Sequence, residues 1–189
     1  EGSRFPPAMM GSGVFSGAID LETAIETKDS LGISVREALT EIGYAGNQSC
    51  GNRPIHTYLE AHIEQGPILE DQKKTIGVVS GAQGQRWYEI TLTGRESHAG
   101  PTPMAVRRDA LVGAASIITA VNQIGHRFQP GACATVGVIE SSPNSRNVIP
   151  GEVFLTIDFR HPDDQQLAAM NDDLRTLAKE AATSNTLKL

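Results

Sequence analysis

Three groups of side chains in this 189-residue sequence have types and spacings that could do chemistry. In residues 57–70, TYLEAHIEQGPILE, the residues Glu60, His62 and Glu64 fall at alternate positions. On an extended strand they share one face, and Leu59, Ala61 and Ile63 take the other. Gln65-Gly66-Pro67 then forces a turn. An imidazole flanked by carboxylates is a candidate transition-metal ligand, because a carboxylate can orient the ring. A lone histidine on a strand serves equally well as a surface or hydrogen-bonded core residue. Glu1 is an oxygen-ligand candidate by type alone. The second group is GRESHAGPTPMAVRRDA, which holds His98 in a Ser-His-Ala-Gly-Pro turn between a strand and a helix. A fixed imidazole can donate a hydrogen bond to a developing oxyanion; a helix-capping loop residue is the blander reading. The third group is SSPNSRNVIPGEVFLTIDFRH. Arg160 follows an otherwise apolar strand, where it either pairs with a structural carboxylate such as Asp158 or grips a ligand carboxylate. Asn147 stands in a turn, as asparagines commonly do for local reasons. His56, His126 and His161 lack supporting neighbours and read as surface or packing residues.

The elements that must position these groups follow from periodicity. A short helix is expected near residues 20–27. Another is expected over 34–42, where Ser34 and Glu37 spell a capping box and Val35, Ala38, Leu39 and Ile42 form a stripe. The 57–64 strand comes next, then TIGVVSG, an apolar run suited to a buried strand. From Gln85 onward the pattern is more regular. RWYEITLTG alternates as a strand. MAVRRDALVGAASIITAVNQIG reads as one long helix with Ala110, Leu111, Ala114, Ile117, Ile118 and Val121 on one side. CATVGVIES and GEVFLTIDFRH read as strands, the latter with Phe154, Thr156, Asp158 and Arg160 on one face. DDQQLAAMNDDLRTLAKEAA is a helix with Leu167, Met170, Leu174, Leu177 and Ala181 as its core stripe, and TLKL opens a last strand. This order, β-α-β-β-α-β, is the split ferredoxin-like arrangement. Residues 85–189 therefore read as a small closed domain with a truncated final strand, and residues 1–84 as part of another.

Bulk properties exclude several function classes. Hydrophobic residues make up 39% and charged residues 20%, enough for a folded core. The net charge of -6 with no basic run speaks against nucleic acid. No apolar run reaches 18 residues, so no membrane helix is expected. Cys50 and Cys133 have no metal-type spacing and fit a reducing, cytoplasmic compartment. The opening EGSRFPPAMMGSG has no initiator methionine and no signal-peptide pattern. It reads like the interior of a longer protein, and a fragment is expected.

Taken in order, EGSRF, HIEQGPILE, GVVSGAQGQRWYEITLTG, SHAGPTPMAVRRDA and SRNVIPGEVFLTIDFRH resemble the hydantoinase/carbamoylase amidases. These belong to the dinuclear metallopeptidase-like amidohydrolases, and include N-carbamoyl-L-amino-acid hydrolases, allantoate amidohydrolases and β-ureidopropionases. The resemblance spans nearly the whole chain. It implies an α/β fold, with part of a dinuclear-metal hydrolytic domain at 1–84 and a ferredoxin-like lid and dimerisation domain at 85–189. It implies that Glu1 and His62 are metal ligands and that Gln65 lies at the substrate. It further implies that His98 stabilises the oxyanion, while Asn147 and Arg160 hold the substrate carboxylate. Some of these groups are expected to reach the active site of a partner subunit in a homodimer.

The resemblance also implies two divalent ions (zinc, manganese, cobalt or nickel) that activate a bridging water for attack on a carbamoyl carbon. The family's first His-x-Asp segment, bridging Asp, C-terminal His and general-base Glu have no counterpart here. The chain alone is thus expected to lack activity. A non-catalytic dimerisation module is the rival reading, and an exopeptidase is disfavoured by the histidine of HIEQG.

Overall fold

The computed structural model describes residues 2–51 and 53–189; Glu1, one of the two expected metal ligands, lies outside the described residues. The backbone divides into two compact units, the first ending at Ile68 and the second running from Leu69 to Leu189.

The first unit contains three short helices, α1 (Met10–Ser16), α2 (Leu21–Ile25) and α3 (Val35–Glu41). Asp20 caps α2 by accepting from Thr23 N at 2.8 Å. Ser34 and Glu37 close the expected capping box, with Ser34 N donating to Glu37 Oε2 at 2.8 Å and Glu37 N to Ser34 Oγ at 3.2 Å. Each cap satisfies a backbone N–H that a helix start leaves without a partner. A small core of Phe5, Met10 and Ala24 collects Val14, Ile19, Val35 and Ala38.

Two expected strands are absent. Residues 57–64 form no strand, and Leu59 is 90% exposed. TIGVVSG is likewise irregular, with Val78 91% exposed. A strand persists only where a neighbour satisfies its N–H and C=O groups and something covers its apolar face. Among the described residues neither segment has such a neighbour. Between them lies only α4 (Ile68–Asp71).

The second unit is built on β1 (Gly84–Thr93), β3 (Cys133–Ser142) and β5 (Glu152–His161), an antiparallel sheet in the order β1-β5-β3. A two-residue ribbon, β2 (Ser97–His98) with β4 (Val148–Ile149), stands apart from it. The expected last strand survives as one ladder pair on the free edge of β1, where Thr93 and Lys188 exchange bonds of 2.8 and 2.9 Å. The spatial order is therefore that of the split ferredoxin-like arrangement.

The helices α5 (Ala110–Arg127) and α6 (Asp164–Ser184) cover one face of this sheet. Val153, Leu155, Ile157 and Phe159 of the central strand are buried against Ile117, Val121, Ile124, Met170 and Leu174. Tyr88 meets Phe159 edge-on at 5.6 Å between ring centroids. The helix expected over MAVRRDALVG begins later than its periodicity implies. Met104–Val106 form a single 3-10 turn, Arg107 is extended, and Asp109 caps α5 by accepting from Leu111 N and Val112 N. Leu111, placed on the core stripe by sequence, is 39% exposed, because the stripe runs through Gly113 and Ala114 instead. The opposite face of the sheet, with Trp87, Glu89, Thr156, Asp158 and Arg160, carries no helix among the described residues of this unit.

Candidate functional site

The β2–β4 ribbon brings two of the predicted residues together. His98 lies opposite Val148, and Ala99 N donates to Asn147 O at 2.9 Å. Pro101 and Pro103 limit the backbone beyond the ribbon. Gly100 N donates to His98 Nδ1 at 3.0 Å. A side chain at Gly100 would place its Cβ 3.3 Å from His98 Cε1, so glycine lets the backbone come this close to the ring. The bond also sets the ring's chemistry. With Nδ1 accepting, a neutral imidazole carries its proton on Nε2. His98 is exposed, so its Nε2–H is open to an acceptor from outside the turn. Beside it, Ser145 Oγ donates to Asn147 Oδ1 at 3.0 Å, which leaves the amide NH2 to act as a donor.

Arg107 had no role in the sequence reading and holds this turn in place. Its Nη2 donates to Ala99 O at 2.8 Å and to Thr102 O at 3.0 Å, and its Nε to Thr102 O at 3.1 Å. Two carbonyls on either side of Gly100-Pro101 are thereby tied to one guanidinium. The only available signal was the Arg107-Arg108 pair just before the Asp109 cap.

Arg160 sits elsewhere. It projects from β5 on the helix-free face, flanked across the strands by Gln85 and Cys133. Its Nε and Nη2 donate to Asp158 Oδ2 at 3.0 and 2.8 Å. This is the structural pairing that sequence left as one of two options. It occupies the Nε edge of the guanidinium, so Nη1 remains for a second carboxylate. Asp158 also pushes the Arg160 pKa up, first through the hydrogen bond and then through its charge.

Arg160 is near one end of β5, and the ribbon with His98 and Asn147 precedes the other end. From Glu152 to Arg160 the strand covers about 26 Å at its usual rise. That is longer than any ureido amino acid, so the length of β5 separates Arg160 from the strand end that the ribbon precedes.

In the first unit, His62 Nδ1 donates to the carbonyl of Ile63 at 2.5 Å, since a carbonyl can only accept. The exposed Nε2 is then the ring's acceptor, the tautomer a cation needs. The flanking carboxylates do other work. Glu60 accepts from the Tyr58 hydroxyl and raises its pKa, while Glu64 accepts from Ile68 N at 3.0 Å. The expected face of Glu60, His62 and Glu64 is not formed, for want of a strand. Gln65 has a left-handed backbone at φ 56°, uncommon for a residue with a side chain. His161, read as packing, is 5% exposed and accepts from Asp163 N at 2.9 Å. Among the described residues no three of His, Cys, Asp or Glu come together as a metal site.

Residues 80–186, more than half of the chain, match the peptidase dimerisation domain family. The N-carbamoyl-L-amino-acid amidohydrolase of Rhizobium meliloti is 50% identical over 90% of this chain and 41% of that protein. The allantoate amidohydrolase of Bacillus subtilis is 37% identical over 94% of this chain and 43% of that protein. The crystal structure of a hydantoinase/carbamoylase family amidase from Burkholderia multivorans superposes with a TM-score of 0.82 at 58% identity. That match covers all of this chain and 46% of the other. The chain thus spans less than half the length of these relatives. By the family model that covers more than half of its length, the chain belongs to the peptidase dimerisation domain family, and along its whole length it is similar to hydantoinase/carbamoylase family amidases.

Proposed function

We propose that this chain is part of a homodimeric, cytoplasmic hydrolase that cleaves the carbamoyl C–N bonds of N-carbamoyl-L-amino acids or related ureido acids. The observation that carries the reading is the hydrogen bond from Gly100 N to His98 Nδ1, which puts the proton of a neutral ring on Nε2. An amide hydrolase needs such a donor where the carbonyl oxygen becomes negative. In this reading Arg160 receives the substrate carboxylate on its Nη1 side, and the Asn147 amide donates to the substrate. One water is consumed, and the ureido group becomes the free amine, carbon dioxide and ammonia. His98 and Asn147 of one copy serve the site to which Arg160 of the other copy belongs, in line with their separation along β5.

Among the described residues no three potential metal ligands come together, and each role above belongs to a side chain of the second unit. The two divalent ions of the proposed enzyme (zinc, manganese, cobalt or nickel) would take His62 Nε2 as one ligand and the remainder from outside the described residues. The family match to a dimerisation domain favours a second reading for the isolated chain, that of a non-catalytic pairing module.

The test uses the enzyme that contains this segment. Arg160→Ala is expected to raise KM for N-carbamoyl amino acids at least tenfold while sparing their carboxamide analogues, the loss of one charge-assisted bidentate contact. Unchanged preference for the acid over the carboxamide refutes the assignment. The 189-residue chain itself, supplied with Mn²⁺ or Co²⁺, is expected to show no turnover.

A further inference from the structure

Trp87 is the single tryptophan of the sequence and is 71% exposed. It stands on the helix-free face, directly opposite Asp158. An indole kept out of a core that begins on the next residue forgoes much of its burial energy, and such exposed apolar surface marks binding sites. What surrounds it favours a particular ligand. Trp87, Glu89, Thr135, Gly137, Thr156 and Asp158 line a depression of about 410 Å³. The register of β3 slips between Val136, opposite Ile157, and Val138, opposite Thr156, which leaves Gly137 as the extra residue of the bulge. A Cβ there would lie 3.6 Å from Thr156 Oγ1, so the floor is open because no side chain fills it. The Asp158 charge is taken up by Arg160, which leaves Glu89 as the one anion on the rim without an ion pair among the described residues. Trp87 and Arg160 are diagonal neighbours across two paired strands, about 7–8 Å apart.

We propose that Trp87 forms the wall that selects the substrate's side chain: a carboxylate held by Arg160 directs an apolar or aromatic α-substituent into the depression against the indole. This rests on the assignment of Arg160 to the substrate carboxylate. Charge picks out the acid, and the indole picks out what the acid carries. Glycine-derived and β-alanine-derived ureido acids reach Arg160 and leave the wall untouched.

Because Trp87 is the sole tryptophan, its emission reports the contact in the chain as it stands. Titration with N-carbamoyl-L-phenylalanine is expected to give a saturable shift, N-carbamoylglycine none, and Arg160→Ala to abolish the shift. Equal responses to the two ligands, or none to either, overturn the wall. In the enzyme that contains this segment, Trp87→Ala is expected to lower kcat/KM for N-carbamoyl-L-phenylalanine about tenfold relative to N-carbamoylglycine, with Trp87→Phe keeping most of the preference. An unchanged ratio, or a preference that moves to basic side chains, overturns it as well. The two assignments fail separately. If Arg160→Ala weakens both substrates and Trp87→Ala leaves their ratio alone, the wall is wrong and the carboxylate site stands. If Arg160→Ala changes neither, the carboxylate site itself is wrong.

Discussion

A single backbone N–H decides what His98 can do. Because Gly100 N occupies Nδ1, the ring can offer only its Nε2 proton outward. The same logic separates two substitutions of similar polarity. Glutamine at this position carries its amide NH2 near where Nε2 stood, whereas asparagine reaches only as far as Nδ1. His98→Gln is therefore expected to keep more kcat than His98→Asn, with His98→Ala down by roughly 10²–10³ as for other oxyanion donors. If the asparagine variant were the more active in steady-state assays, the donor would be Nδ1 and the tautomer argument would fail. The identity of the candidate residues was legible in the sequence because each sits in a distinctive short context, such as HAGP or DFRH. Their partners were not. The Gly100 bond and the Arg107 staple depend on where a turn folds back, which residue types do not encode. Asp158 was visible as a possible partner of Arg160 because strand periodicity alone places positions 158 and 160 on one face.

Helices were more legible than strands, and the reason is local. A helix satisfies its own backbone and announces its start through a cap, as Ser34 with Glu37 and Asp163 do; the Asp109 cap lay inside the longer helix expected from Met104. A strand's partners lie far away in sequence. GEVFLTIDFRH is a strand because β1 and β3 flank it, whereas the equally apolar TIGVVSG has no described neighbour and stays irregular. The cap of α6 can be tested through its charge. Backbone N–H groups of Gln166 and Gln165 hold the Asp163 carboxyl below the usual carboxylate range. A pKa lowered by folding gives stability that is present above the unfolded value near 3.9 and is lost as pH falls through the folded one. Asp163→Asn keeps a good capping group but no titration. It is expected to flatten the dependence of Tm on pH below about pH 4, with little change near pH 7. Asp163→Ala is expected to lower Tm by a few degrees throughout. Parallel Tm–pH curves for wild type and Asp163→Asn would show that the carboxylate does not act through the helix start.

At the scale of the second unit, length is the decisive quantity. A central strand of ten residues sets the ribbon and Arg160 at opposite ends of one sheet. Sequence order alone hides this, since Asn147 and Arg160 are only thirteen positions apart and look like parts of one motif. Only the extended rise of β5 converts those positions into a gap that no single small substrate closes. In the proposed homodimer two copies related by a twofold axis would close it, each offering its ribbon to the site containing the other's arginine. Under the proposed function this makes complementation a direct test. Enzymes carrying His98→Ala or Arg160→Ala alone have both sites damaged. In a mixed dimer one site inherits both lesions and the other inherits neither. With equal amounts coexpressed, random pairing puts half of the dimers in the mixed state, and about a quarter of wild-type activity is expected to return. If the ribbon and the arginine served the same copy, each mixed dimer would instead have one site with each lesion. The coexpressed pair would then be no more active than the average of the two variants assayed separately.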